Sequence, residues 1–287
     1  MNAEKLILEG NQVADSIKGK LMDRINNLSK KGIVPCLVTI LVGENASSKT
    51  YVRMKGNACR RLGMQSIRID LPADITTDEL LSQIHKLNHD PAVHGILLQH
   101  PVPNHIDERA AFDAISIEKD VDGVTALGYA LSAFGTAKFP SCTPAAIMAI
   151  LEYYELQIEG KHAVVIGRSP ILGKPVSAML LNKNATVTTC HSKTINLEDI
   201  VRLGDIVVAA VGKPNFVRGD WIKPGAVVLD AGYNEGNIGD VDFNECLQNA
   251  YAITPVPAGV GPVTIATLLK HTVDAAERSL NSLETLV

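Results

Sequence analysis

The chain has 287 residues, 46% hydrophobic and 20% charged, the proportions of a soluble globular protein with room for two cores. A formal net charge of -4 leaves no basic footprint for nucleic acid or an anionic membrane. No apolar run approaches the ~18 residues of a membrane span, and "MNAEKLILEG" lacks a secretory apolar segment. Cys36, Cys59, Cys142, Cys190 and Cys246 are odd in number and never closely spaced. That argues against a disulfide framework or a zinc site and for a reducing cytoplasm; no metal is expected.

In chain order, "CLVTILVG" (36–43) predicts a buried strand, and Ser47 to Met64 a helix. Tyr51, Lys55, Cys59 and Leu62 recur at spacings of four and three, so they share one helical face on which Lys55 is the odd member. Snorkelling, with the stem packed and the ammonium in water, accounts for it on this stretch alone. "SIRIDLP" (66–72) predicts a strand, followed by a helix near "TTDELLSQIHKL" with Thr76 or Thr77 as its cap. "VHGILLQ" (93–99) ends on Gln99, before a turn stiffened by Pro101 and Pro103. "EKDVDGVT" carries Asp120 and Asp122 in a turn that lacks the further acids of a calcium loop. This alternation predicts an α/β fold, with parallel strands and helices on both faces.

A domain boundary is placed near Pro140, and "SCTPAAIMAILEYY" opens a new helix with Pro144 in its first turn. "KHAVVIG", "ATVTTCH", "DIVVAAVG" and "GAVVLDAG" then follow with helix-length separations, the rhythm of a Rossmann-like domain. In "VVIGRSPILGKPVSAMLL", Gly167 ends a strand and Gly173 allows close backbone approach before a helix. The free N–H groups of that helix suit a pyrophosphate. A plain strand-to-helix turn reads the same way, and the G-x-G-x-x-G fingerprint is absent. The next strand ends "TCHSK", without the carboxylate that holds a ribose in NAD sites. Arg168, Ser192 and Lys193 offer a 2′-phosphate charge-assisted bonds instead, which favours NADP. His191 reads as a surface or stacking residue. "TPVPAGVGPVT" predicts a rigid loop, and the terminal segment an amphipathic helix returning to the first domain. The expected domains are 1–140 joined by helix 266–287, and 141–265.

Taken in order, "SKTYVRMK", "GILLQHPVP", "KDVDG", "SCTPAA", "GRSPILGKP", "CHSKT" and "TPVPAGVGPVT" closely resemble the bifunctional methylenetetrahydrofolate dehydrogenase/methenyltetrahydrofolate cyclohydrolase family. The resemblance runs from about Val42 to the C-terminal helix. It implies two α/β domains flanking a cleft, folate on the first and NADP on the second, in a cytoplasmic homodimer. The implied activity oxidises 5,10-methylenetetrahydrofolate to the methenyl cation and hydrates that to 10-formyltetrahydrofolate, in one-carbon metabolism serving purine biosynthesis.

By this resemblance Lys55 is the catalytic lysine, with Tyr51, Gln99 and Asp122 beside it in the catalytic set. Tyr51 lies against the folate, Gln99 bonds the lysine, Asp122 binds the pterin, and Ser48 supports Lys55 from the same helix face. Gly167, Arg168, Ser169, Gly173 and Ser192 match cofactor positions, while Gly259 and Thr264 lie in a loop beside nicotinamide and folate. Asp120 is read as a turn-holding carboxylate.

The chain departs from the family at four places. His100 stands for an aliphatic residue, Ala146 for a glycine, Ala258 for the first glycine of "PVPGGVGP", and Val263 for methionine. Two rival readings are weaker. An NADP-dependent dehydrogenase of another small metabolite leaves Tyr51, Lys55, Gln99 and Asp122 without a role. A non-catalytic folate-binding paralogue sits badly with an intact Lys55.

Overall fold

A computed structural model describes residues 5–284. The amino-terminal part forms β1 (Leu6–Ile7), α1 (Gly10–Lys30), β2 (Cys36–Val42), α2 (Ala46–Arg61), β3 (Gln65–Leu71), α3 (Thr77–His89) and β4 (Gly95–Leu98). Three helices follow: α4 (Glu108–Asp113), α5 (Ala126–Ala133) and α6 (Cys142–Tyr153). The remainder is β5 (His162–Ile166), α7 (Gly173–Asn182), β6 (Thr186–Cys190), α8 (Leu197–Val201), β7 (Ile206–Ala209), β8 (Val227–Asp230), α9 (Phe243–Asn249), β9 (Ala252–Ile253) and α10 (Val260–Glu284).

The chain divides into two compact units. One gathers the chain up to Asp15, residues 131–137 and residues 141–264; the other holds 16–130, 138–140 and the chain from Ile265. The changeovers therefore fall inside α1, α5 and α10 as well as around Pro140.

The first unit is built on a six-stranded sheet of order β1-β9-β8-β7-β5-β6, parallel throughout. Its central strands β5, β7 and β8 are nearly continuous apolar runs because both faces are covered, whereas the edge strand β6 is threonine-rich and partly exposed; Val164, Val207, Val228 and Ile253 are fully buried. From β5 the chain steps outward to β6, then crosses back to β7 on the other side of β5. The carboxyl ends of β5 and β7 thus form a topological switch point, where open α/β sheets bind ligands.

The second unit carries a three-stranded parallel sheet of order β3-β2-β4. All seven residues of β2 are buried, which is why its sequence shows no polar alternation. Thr76 and Glu79 close a capping box on α3. Arg24 of α1 forks onto Glu277 and Asp274 of α10 at 2.5–2.9 Å.

Two expectations need correction. The C-terminal helix starts at Val260 rather than 266, so half of the expected "TPVPAGVGPVT" loop is helical. Pro262 sits in the first turn, where its missing N–H leaves no bond unmade, and Thr264 belongs to the helix rather than a loop. Residues 285–287 of the expected helix lie outside the described residues. The helix expected over Ser47–Met64 ends at Arg61, with Leu62 as its cap.

Ala258 adopts a left-handed backbone with φ of 79°, at the position where the resembled family carries glycine. Its carbonyl accepts the Gly10 amide at 2.8 Å, which fixes that conformation. An L-residue there costs roughly 1–2 kcal/mol, partly offset because an unfolded glycine is freer. Ala258→Gly should stabilise the protein by about 0.5–1 kcal/mol, read as a higher urea midpoint at unchanged m-value. A lower midpoint would show that the methyl group contributes more than the backbone strain removes.

Candidate active site

Lys55 lies one turn after Tyr51 on α2, and both are half-buried. The helix is started by Asn45, whose side chain accepts the Ser48 amide at 3.0 Å, and Ser48 itself is buried. The Lys55 ammonium donates to Gln99 Oε1 at 3.2 Å. Gln99 directly follows β4, so a buried strand delivers the acceptor and a capped helix the donor. Its other amide atom, Nε2, donates to the His100 carbonyl at 2.7 Å. Reversing the amide would put a donor against the ammonium and an oxygen against a carbonyl, so both contacts select one orientation.

Asp122 is half-buried in the turn that follows residue 119. The neighbouring Asp120 is fully buried and accepts the amides of Val124 and Thr125, both at 3.0 Å. Burial pushes the Asp120 carboxyl up, while those amides pull it the other way. It is a turn-holding carboxylate in geometry. His271 of α10 grips the same turn, its Nδ1 donating to the Val121 carbonyl at 2.9 Å. Burial lowers the His271 imidazole to about 4, so it stays neutral at physiological pH. Among the described residues no hydrogen bond joins Asp122 to Lys55 or Gln99, though all three belong to the same unit.

The short helix α4 braces both of these segments. Glu108 Oε2 accepts from His100 Nδ1 at 2.6 Å and from the Val102 amide at 3.4 Å. Arg109 donates to the Val124 carbonyl at 2.7 Å, and Asp113 accepts the Ala126 amide at 2.7 Å.

In the other unit, Gly167 ends β5 with φ of 137°. A Cβ there would stand 2.3 Å from the Ala210 carbonyl oxygen. A Cβ on Gly173 would stand 2.2 Å from the Gly167 oxygen. The strand-to-helix turn closes only because both positions lack side chains. Ser169 Oγ accepts the amides of Leu172 and Gly173 at 3.2 and 3.4 Å, capping the start of α7. Its hydroxyl proton stays available to an anion. Ile166 pairs with Cys190, and Arg168 and Ser192 each follow two residues beyond that paired position, both exposed. With no carboxylate at the end of β6, this donor set fits a phosphorylated dinucleotide. Gly259 precedes α10, and a Cβ on it would meet the Pro255 oxygen at 2.3 Å. Thr264 Oγ1 lies 3.2 Å from the Val260 carbonyl and 3.5 Å from Thr143 Oγ1.

Sequence reasoning missed Asp230 and Asp240, which shape the switch point from behind. Asp240 is fully buried and accepts the amides of Val211, Gly212 and Lys213 at 2.6–2.9 Å, just past β7. Asp230, at the end of β8, accepts the amides of Gly232, Asp240 and Val241 at 2.8–3.0 Å. Burial pushes its carboxyl up to about 6. Asp230 closes an apolar strand run, and that one acid among valines was the available signal.

The parallel sheet, its switch point and the glycine turn into α7 define a dinucleotide-binding dehydrogenase unit, in a chain whose other α/β unit holds the lysine–glutamine pair. The catalytic-domain profile of tetrahydrofolate dehydrogenase/cyclohydrolase matches residues 8–122, and the NAD(P)-binding-domain profile matches 141–280. A bifunctional FolD protein of Shouchella clausii is 69% identical, covering 97% of this chain and 100% of its own. The crystal structure of the bifunctional FolD enzyme of Campylobacter jejuni superposes with a TM-score of 0.93 at 44% identity, over 96% of this chain and 99% of that one. A Trypanosoma brucei enzyme complexed with NADP and an inhibitor gives 0.93 at 39% identity, over 96% and 98%. The chain belongs to the tetrahydrofolate dehydrogenase/cyclohydrolase family.

Proposed function

We propose that this enzyme uses NADP to oxidise 5,10-methylenetetrahydrofolate to the methenyl cation, then adds water to give 10-formyltetrahydrofolate. The observation that carries the two-step reading is the Lys55–Gln99 hydrogen bond, a positioned amine in the folate-family unit. NADP, when bound, supplies the hydride acceptor. Arg168 and Ser192 hold its 2′-phosphate, Ser169 and the start of α7 its pyrophosphate, and Gly167 and Gly173 keep that turn tight. Tyr51 lies against the folate, Asp122 accepts the pterin N–H groups, and Ser48 supports the lysine's helix. Gly259 and Thr264 line the nicotinamide and folate side of their segment. Lys55 takes a proton from the attacking water and returns it as the ring opens.

The enzyme works as a homodimer in the cytoplasm, without nucleic acid or membrane. The family resemblance supports the dimer. The five cysteines are all buried and never closely spaced in the sequence, which supports a reducing compartment, and no helix of the described residues is long and apolar enough to cross a membrane. The test mixes purified protein with methylenetetrahydrofolate and NADP. NADPH absorbance should rise, and added methenyltetrahydrofolate should lose its absorbance faster than in buffer. Absence of either change removes that step from the reading.

Asp122→Asn tests the pterin assignment. The variant keeps the size but turns half of the group into a donor facing donors. Both activities should fall together, by about tenfold, the scale of one charge-assisted bond. Loss of one activity alone would make Asp122 step-specific instead.

A further inference from the structure

The contacts behind Gln99 extend past the lysine pair. Gln99 Nε2 donates to the His100 carbonyl, His100 Nδ1 donates to Glu108 Oε2 at 2.6 Å, and the same oxygen takes the Val102 amide at 3.4 Å. Glu108 therefore grips the chain on both sides of Pro101. The carboxylate sits in the first turn of α4, which Asp107 caps by accepting the Ala110 amide at 3.0 Å. His100 occupies a position where the resembled family has an aliphatic side chain that cannot make this bond.

We propose that His100 and Glu108 are positioning residues for Lys55, acting through Gln99. This rests on the reading of Lys55 as the proton-handling group of the hydration step. The Gln99 amide presents its oxygen to the lysine only while the His100 carbonyl stays in place to receive Nε2. The His100–Glu108 hydrogen bond to α4 holds that carbonyl. With the pair broken, residues 100–102 relax, the amide loses its fixed partner, and the lysine spends less time aligned with the one-carbon centre. Small displacements of this kind act on rate rather than on affinity. The His100 and Glu108 side chains are 48% and 31% exposed, so the pair adds little to folding stability, and its removal leaves the unit folded.

The experiment compares cyclohydrolase kcat and KM, dehydrogenase rate and Tm across a set of variants. These are the parent, His100→Ala, Glu108→Ala, His100→Asn, Gln99→Ala, Gln99→Ala/His100→Ala and Lys55→Met. His100→Ala and Glu108→Ala should each lower cyclohydrolase kcat by about tenfold. KM and Tm should stay near the parent's, and the dehydrogenase should fall less. His100→Asn, whose amide N–H replaces Nδ1–H, should recover most of the rate. In the Gln99→Ala background His100→Ala should change nothing further, because the path is already cut. Equal losses in both activities, or additive losses in the double variant, would overturn the proposal while Lys55→Met still abolishes hydration. If Lys55→Met itself hydrates at the parent rate, the lysine reading fails and this proposal fails with it.

Discussion

Replacing Lys55 with methionine should lower hydration of methenyltetrahydrofolate by about a hundredfold or more, the usual scale for a lost acid–base group. Methionine keeps much of the stem's volume and deletes the amine that donates to Gln99 Oε1. Hydration needs a group to take a proton as water attacks the one-carbon centre and to return it as the ring opens. Hydride transfer needs no base at that carbon; it needs two atoms aligned. The dehydrogenase rate should therefore fall less, by whatever alignment the amine supplied. Decay of methenyl absorbance under saturating substrate measures the first rate, and NADPH appearance the second. A lysine that merely snorkels would leave both near the parent values, and that outcome would refute the assignment.

The second large effect is expected at Arg168. It follows the end of β5 as Ser192 follows the end of the paired strand β6, and the sequence after β6, "HSK", has no carboxylate to hold an unphosphorylated ribose. A charge-assisted pair to phosphate is worth roughly 1.5–3 kcal/mol, a factor of about ten to a hundred. Arg168→Ala should lose that factor in kcat/KM for NADP and little for NAD, so the preference collapses rather than the activity. Equal efficiency with both cofactors in the parent enzyme would sink the argument before any variant is made.

Which parts of this arrangement could be read from the letters follows from physical signal. Strands β5, β7 and β8 were legible because burial on both faces makes them apolar runs bounded by glycine or polar turns, and β6 because its β-branched residues cluster between turn signals. Lys55 stood out because one cation broke an otherwise apolar or aromatic helical face. Gln99 was noticeable as a polar end to a buried strand, but its pairing was not: it lies 44 residues from Lys55, and only the family resemblance joined the two. Strands β1 and β9 have two residues each, too few for any periodicity. The start of α10 was hidden because Gly261 and Pro262 signal a loop, although proline is at ease in a first helical turn. His271 looked like one polar residue in an amphipathic helix, and its bond to Val121 spans 150 residues. Asp240 had no local mark at all, since its partners come from a loop 27–29 residues earlier.

Asp240 also governs how the switch-point loop meets a ligand. Its two oxygens engage the three successive amides of residues 211–213 and the side chain of Asn234. A loop held by four donors on one buried carboxylate is already shaped before any encounter. Conformational entropy of roughly 1–2 kcal/mol per ordered residue was given up when the domain folded. It is not lost again on capture, so a dinucleotide arriving at the ends of β5 and β7 docks against a nearly rigid rim.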